Sequence, residues 1–243
     1  MPSITLLKFE KDVKIEEVVR KFNGKKDIFE IKAKKSNFNS HEAIIEFEYE
    51  VNLEEEIKKR FGIEIKELKN LKTKRRVIAF LNNFTKTFEV YRGFDYLCKK
   101  IVEIAEELLG QNLFPLKLDG FSLVKIIRKF SIETKQLMFK NIDGFFWKVI
   151  RGKSLEKNEI AWKEIFRNVN SLRVISFRPK IRFLKDGTKY QITYNAEKGT
   201  LKFSSMEDFR YRPRYEIRQI VFILNYLNSF LNKTLKYEIP ERS

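Results

Sequence analysis

The chain has 243 residues, of which 43% are hydrophobic and 34% charged, so it can bury a core and is not a disordered basic tail. No apolar run approaches the roughly 18 residues of a membrane span, and the N-terminus lacks the apolar core of a signal peptide. We therefore expect a protein of the cytoplasm or the nucleoid that has no membrane partner.

Hydrophobic periodicity predicts the elements of the first half in the order β-α-β-β-α-β-β-β-α. Alternating apolar residues favour strands at 4–9, 28–34, 43–49, 63–71, 76–81 and 87–91. Helical spacing favours helices at 14–22, 53–61 and 94–109, and Gly62 and Gly110 are expected to close the last two. A polar loop at 36–41 joins the second and third strands.

The same periodicities predict a similar order in the second half. Strands are expected around Leu116 and at 136–141, 145–151, 172–184, 190–194 and 200–203, and helices at 122–130 and 159–169, with a closing helix from near Pro213. Gly199 supplies the positive φ of the hairpin turn at 195–199. The apolar run Phe145, Phe146 and Trp147 is assigned to the core.

Short sequence matches indicate an internal duplication. Residues 6–9 (LLKF) recur as 115–118 (PLKL) and residues 18–22 (VVRKF) as 126–130 (IIRKF), at offsets of 109 and 108, and Glu56-Ile57 recurs as Glu164-Ile165. We predict an α+β fold of two related halves, an N-terminal repeat at 1–110 and a C-terminal repeat at 111–243. Each would carry a ferredoxin-like or saddle-like antiparallel sheet with one free face. Two unrelated α+β domains of similar composition are the alternative.

Positive charge is concentrated in the second half. Residues 1–110 hold 23 Lys and Arg against 20 Asp and Glu, whereas residues 111–243 hold 27 against 13. Like charges repel within a fold, so a net charge of +14 on one half favours an anionic partner such as DNA or RNA.

The strand predicted at 172–184 carries the first group of candidate phosphate contacts. Strand alternation places Arg178, Lys180 and Arg182 on one face, about 6.6 Å apart, which is close to the phosphate spacing of a nucleic-acid strand. No acidic residue is interleaved with them in the sequence. Arg173 and Lys185 flank the group, and the alternative is an edge strand protected by charge.

A second candidate group lies where the closing helix begins. It comprises Arg210, Arg212, Arg214 and Arg218, with Tyr211 and Tyr215 as possible base-stacking residues. Cations at a helix N-terminus oppose the helix dipole, which favours an anion bound there. The alternative is pairing with neighbouring acids. A smaller group, Lys74, Arg75 and Arg76, is assigned to a basic turn at 72–76.

Enzymatic signatures are sparse. His41 and Cys98 are the only residues of their types, so histidine or cysteine metal clusters are excluded, and no glycine-rich nucleotide loop indicates a cofactor. Asp119 and Asp143 each precede Gly and an aromatic residue, and paired acids can hold Mg²⁺ for phosphodiester cleavage, although Asp-Gly is also common in turns. The segment 142–146 (IDGFF) resembles the end of the motif of LAGLIDADG homing endonucleases, but its helix-ending acid has no counterpart in the first half.

These observations predict a nucleic-acid-binding protein that catalyses no reaction and contacts phosphates through its C-terminal half. One alternative is a metal-dependent nuclease of tandem-repeat type that uses Asp119 or Asp143. The other is an assembly module whose basic half docks an acidic protein.

Overall fold

The structure is a computed structural model, and it describes residues 3–65, 68, 71–142, 144–179, 191–204, 217–222 and 224–225. It is an α+β fold with mostly antiparallel strands. Contacts divide the chain into two compact units. The N-terminal unit comprises Phe9–Val90 and Tyr96–Asn112, and the C-terminal unit comprises Met1–Lys8, Tyr91–Asp95 and Leu113–Ser243.

The described elements include twelve strands and five complete helices. The strands are β1 (Ser3–Lys8), β2 (Gly24–Lys26), β3 (Phe29–Lys35), β4 (Glu42–Asn52), β5 (Lys72–Asn82), β6 (Thr87–Val90), β7 (Phe114–Pro115), β8 (Ser131–Ile142), β9 (Phe145–Arg151), β10 (Leu172–Pro179), β11 (Gln191–Asn195) and β12 (Thr200–Ser204). The helices are α1 (Ile15–Phe22), α2 (Leu53–Phe61), α3 (Tyr96–Leu109), α4 (Gly120–Phe130) and α5 (Glu159–Arg167). Residues 217–222 and 224–225 are also helical.

In the N-terminal unit, β2, β3, β4, β5 and β6 form an antiparallel meander in that order. Strand β3 alternates as predicted, since Phe29, Ile31 and Ala33 are buried and the residues between them are exposed. Helix α1 packs on β3 and β4 and buries one apolar stripe that includes Val18 and Phe22. Part of the core of this unit therefore lies between α1 and one face of the sheet, and α3 contributes further buried residues.

In the C-terminal unit, β7 pairs with β1, and the sheet continues as β1, β12, β11, β10, β8 and β9, all antiparallel. Helix α4 packs on β8 and β10, and its Leu123, Ile126 and Ile127 are buried. The sheet residues of this core are Leu137, Phe139, Ile175, Phe177, Ile192, Tyr194, Leu201 and Phe203. Burial raises the pKa of Tyr194, whose hydroxyl donates to the Leu116 carbonyl oxygen at 2.9 Å.

Several local predictions are confirmed. Gly62 and Gly110 end α2 and α3 with positive φ, and Gly199 lies at φ +60 in the turn between β11 and β12. Residues 217–222 and 224–225 are helical, and Ile217, Ile220, Val221 and Leu224 are buried, as predicted for the closing helix. The predicted start of this helix near Pro213 lies outside the described residues.

Among the described helices, none combines the length and the hydropathy that a membrane span requires.

Other local predictions are wrong. None of the described residues between 63 and 71 belongs to a strand, and the backbone N–H of Leu68 instead donates to the Ile65 carbonyl in a turn. Lys72–Arg76 is not a turn, because these residues pair with β4 as the first part of β5. Phe145 and Phe146 are not in the core, since 65% and 67% of their surfaces are exposed.

The relation between the two halves stays a prediction. In the N-terminal unit, the strand pair β3–β4 is followed by α2 and then by β5, which pairs with β4. In the C-terminal unit, the strand pair β8–β9 is followed by α5 and then by β10, which pairs with β8 and not with β9. In addition, β1 pairs with β12 and belongs to the C-terminal unit. The units are therefore not two consecutive stretches of chain with identical strand order.

Candidate functional site

Many of the residues singled out by sequence lie outside the described part of the chain. These are Asp143, Lys180, Arg182, Lys185, Arg210, Tyr211, Arg212, Arg214 and Tyr215. The described ones are Lys74, Arg75, Arg76, Asp119, Arg173, Arg178 and Arg218.

Arg178 is exposed near the end of β10, but it is not isolated from acids as the sequence suggested. It lies opposite Glu133 of β8 in the strand register, and the guanidinium is 3.3 Å from the Glu133 carboxylate. A hydrogen bond from Lys135 lowers the pKa of Glu133, and the charge of Arg178 contributes to the same shift. Part of the charge of Arg178 is therefore compensated across the sheet.

The basic group of the first half is compensated as well. Lys74 lies 3.6 Å from Glu30, Arg75 lies 2.7 Å from Glu56, and Arg76 lies 3.5 Å from Glu46. These cations belong to a network of cross-strand ion pairs on exposed sheet and helix surfaces, where single pairs contribute little stability. Their pairing weakens the case for a phosphate site there.

Arg218 makes intramolecular contacts within the C-terminal unit. Its guanidinium donates to the Tyr91 hydroxyl at 3.1 Å and lies 5.8 Å from the centroid of that ring. This geometry indicates that Arg218 anchors the helical residues 217–222 to Tyr91.

Arg173 and Asp119 line one cleft of about 430 Å³ in the C-terminal unit, together with Lys117, Asn170 and Glu197. The Arg173 guanidinium donates to the Asn170 and Leu172 carbonyl oxygens at 2.6 and 3.0 Å. A hydrogen bond from Lys140 lowers the pKa of Glu197, and the charges of Arg173 and Lys117 add to the effect. The cleft is therefore of mixed charge and is not a purely cationic pocket.

Asp119 has a structural role at this cleft. Its carboxylate accepts a hydrogen bond from the Ser122 backbone N–H at 2.6 Å and caps the N-terminus of α4. Among the described residues, no group of three or more His, Cys, Asp or Glu side chains could hold a metal ion.

We expect Asp119→Ala to lower the free energy of unfolding by about 1 kcal/mol, because α4 loses its cap. Asp119→Asn retains a side-chain oxygen and is expected to lower the free energy of unfolding by only about 0.3 kcal/mol. Urea denaturation of the two variants measures the difference. Equal losses in both variants would show that the charge of Asp119, and not its capping oxygen, stabilises the helix.

A basic surface that sequence reasoning did not single out is formed by α4 and α5. We call it the α4–α5 face and define it by Lys125, Arg128, Lys129, Trp162, Lys163, Phe166 and Arg167. Four of its five cations are exposed and Lys125 is half-buried. Within the described part of the chain, no carboxylate lies within 4.0 Å of any of these five cations.

The acids of these helices do not neutralise this face. Helix α4 contains no acidic residue. In α5, Glu164 is engaged by Lys148 of β9 at 2.7 Å and by the Asn168 side chain at 2.6 Å. The other acid of α5, Glu159, lies in its first turn.

Aromatic rings are interleaved with these cations. The rings of Trp162 and Phe166 stack at 5.5 Å with an interplanar angle of 29°. The Arg128 guanidinium lies 5.0 Å from the Trp162 centroid and 5.4 Å from the Phe166 centroid. Cations held against aromatic faces are favourable, and the same combination is typical of surfaces that bind nucleotides.

A second aromatic group lies on β9. Lys140 of the neighbouring strand is 5.8 Å from the centroids of both Phe146 and Trp147, and these two rings contact each other edge to face. The apolar alternation of this strand predicted a core position. The exposure of Phe145 and Phe146 shows that this end of β9 instead presents aromatic surface.

The sequence did contain a signal for the α4–α5 face. Phe121, Lys125 and Arg128 recur at the spacing of one helix face, opposite the apolar residues that pack on the sheet.

No model of a known protein family matches the chain, and a comparison with curated proteins finds no match.

Proposed function

We propose that the protein binds nucleic acid without catalysing a reaction, and that the α4–α5 face of its C-terminal half makes the principal phosphate contacts. Arg173 and Arg178 lie in the same unit and are proposed as additional contacts. Lys180, Arg182 and Lys185 with Arg210, Arg212 and Arg214 are proposed as further contacts.

The observation that carries this proposal is the set of five cations on the α4–α5 face that no described carboxylate compensates. Clustered like charges raise the energy of the folded protein, and a bound polyanion relieves that repulsion. The basic group Lys74, Arg75 and Arg76 has a carboxylate partner for each cation. Pairing, and not only the number of cations, therefore distinguishes the two surfaces.

The proposed duplication adds a comparison between α1 and α4. At the offset of 108, Glu16 and Glu17 of α1 correspond to Val124 and Lys125 of α4, while Arg20 and Lys21 correspond to Arg128 and Lys129. If the halves are related, the second copy retains the cations but lacks the acids that accompany them in the first. This difference supports a phosphate-binding role for α4 and not for α1.

A titration of fluorescent single- and double-stranded DNA and RNA, followed by anisotropy at several salt concentrations, tests the proposal. Five phosphate contacts predict a slope of log K against log salt of about −3.5 to −4.5, or a loss of roughly 100- to 500-fold between 50 and 200 mM. No binding at low salt would refute the proposal.

The same samples separate the two alternatives. Strand cleavage that requires Mg²⁺ would favour a nuclease that uses Asp119 or Asp143. An acidic protein that remains bound after nuclease treatment would favour an assembly module.

A further inference from the structure

We propose that the α4–α5 face recognises single-stranded nucleic acid, with Phe166 and Trp162 as a stacking platform for a base and Arg128 as a planar cation beside it. This inference rests on the proposed function and deepens it, because it names the form of nucleic acid that the face selects.

The platform is exposed and held in place before any ligand binds. Phe166 has 60% of its surface exposed although it is a large aromatic residue. Trp162 is half-buried, and its indole Nε1 donates to the Glu156 carbonyl oxygen at 2.8 Å, which fixes the orientation of the ring. Because the rings are already stacked on each other, a base that binds there orders little additional structure.

Arg128 gives the platform its charge. Its guanidinium lies against both rings, and no described carboxylate competes for it. A guanidinium can stack on a base and hydrogen-bond a phosphate, which an ammonium cannot do in the same geometry. Lys125 and Lys129 lie on the same helix as Arg128, and Lys163 and Arg167 lie on the helix that carries the two rings, so a strand that crosses both helices would meet further cations.

Single strands suit this surface better than duplexes. Every base of a single strand can offer a π-face, and stacking on aromatic side chains tolerates any sequence. The bases of a duplex already stack on their neighbours, so stacking one on Phe166 would first require that it leave the helix. An acidic peptide would satisfy the cations but would leave the aromatic platform without a planar partner.

The test compares a short oligothymidylate with an oligonucleotide of equal length whose residues are abasic, with a duplex and with polyglutamate. The abasic strand carries the same phosphates and no bases. We expect the protein to bind oligothymidylate about 5- to 150-fold more tightly than the abasic strand, which is the range for one stacked base. In a Trp147→Phe background, oligothymidylate should quench the fluorescence of Trp162 and the abasic strand should not.

Two variants test the residues. Phe166→Ala and Arg128→Lys are each expected to bring the affinity ratio between oligothymidylate and the abasic strand towards one, and Arg128→Lys should leave the salt slope unchanged. Phe38→Ala is the matched control, since Phe38 is a 90% exposed phenylalanine of the N-terminal unit. A thermal melt of each variant verifies that it folds. If a variant does not fold, the comparison of oligothymidylate with the abasic strand on the unmodified protein still tests the inference.

The outcomes separate this inference from the proposed function. Equal, salt-dependent binding of oligothymidylate, abasic strand and duplex would overturn the stacking inference and leave nucleic-acid binding intact. If polyglutamate binds as tightly as oligothymidylate, the stacking inference is overturned in favour of a site for acidic proteins. Failure of every nucleic acid to bind at low salt would overturn both.

Discussion

Replacing Lys125, Arg128, Lys163 and Arg167 together by Gln is expected to lower nucleic-acid affinity about a thousandfold near 0.1 M salt and to reduce the salt slope by about 3. Each cation that contacts a phosphate releases counterions and contributes roughly 0.7 to 0.9 to the salt slope. Losing four such contacts therefore lowers the slope by about 3. Anisotropy titrations of the variant and the unmodified protein over a range of salt concentrations measure both quantities.

The matched control is a triple replacement in the N-terminal unit, Lys74→Gln, Arg75→Gln and Arg76→Gln. These cations already have carboxylate partners, so we expect the slope to change by less than about 1. Both variants alter surface side chains and should leave the free energy of unfolding within about 0.5 kcal/mol per replacement. If the control loses as much affinity as the quadruple variant, general positive charge and not the α4–α5 face governs binding.

The second large effect is expected from Gly120→Ala, which we predict to lower the free energy of unfolding by at least about 2 kcal/mol. A Cβ at residue 120 would lie 1.6 Å from the Val169 carbonyl oxygen and 2.7 Å from its carbonyl carbon. Both are backbone atoms, so no change of side-chain rotamer relieves the overlap, and the first turn of α4 must move away from the 3₁₀ turn Val169–Ser171. Urea denaturation followed by circular dichroism measures the loss.

Gly144→Ala is the control for this prediction because it lies in the same unit. Gly144 has φ +78 and open space around the position of a Cβ, so its replacement is expected to cost about 1 to 2 kcal/mol from the left-handed conformation alone. Since Gly120 also lines the cleft with Arg173 and Asp119, its replacement should distort that cleft. A Gly120→Ala variant more stable than the Gly144→Ala control would contradict the packing described for α4.

Periodicity alone predicted most elements of the fold, and the reason is visible in particular residues. In β3 and α1 the apolar positions follow the periods of a strand and a helix, because each element has one buried and one solvent-facing side. The strand predicted at 63–71 is wrong because its apolar pattern is not matched by a buried side. Its apolar residues recur without a neighbouring strand to bury them, and the strand begins only at Lys72.

Pairing between distant elements could not be predicted in this way. The contact between Arg178 and Glu133 depends on β10 lying beside β8, and the partners of Lys74 and Arg75 come from β3 and α2. Sequence therefore located the cations but not their compensation. The α4–α5 face was missed because its cations belong to helices that also carry core residues, so the segments were interpreted only as amphipathic.

The exposure of aromatic residues was equally hard to foresee. Phe145, Phe146 and Phe166 occupy positions that fit the apolar pattern of their elements, and a large apolar residue is ordinarily buried. Whether a covering element exists is a property of the tertiary structure. At α5 the rings instead stack beside the charge of Arg128.

Photo-crosslinking with an oligonucleotide that contains 5-bromouracil, followed by mass spectrometry of the linked peptides, tests whether nucleic acid binds on the α4–α5 face. We expect crosslinks to the aromatic residues of α5, Trp162 and Phe166, and their loss in excess salt. Crosslinks confined to the N-terminal unit, with binding intact and none in α4 or α5, would contradict it.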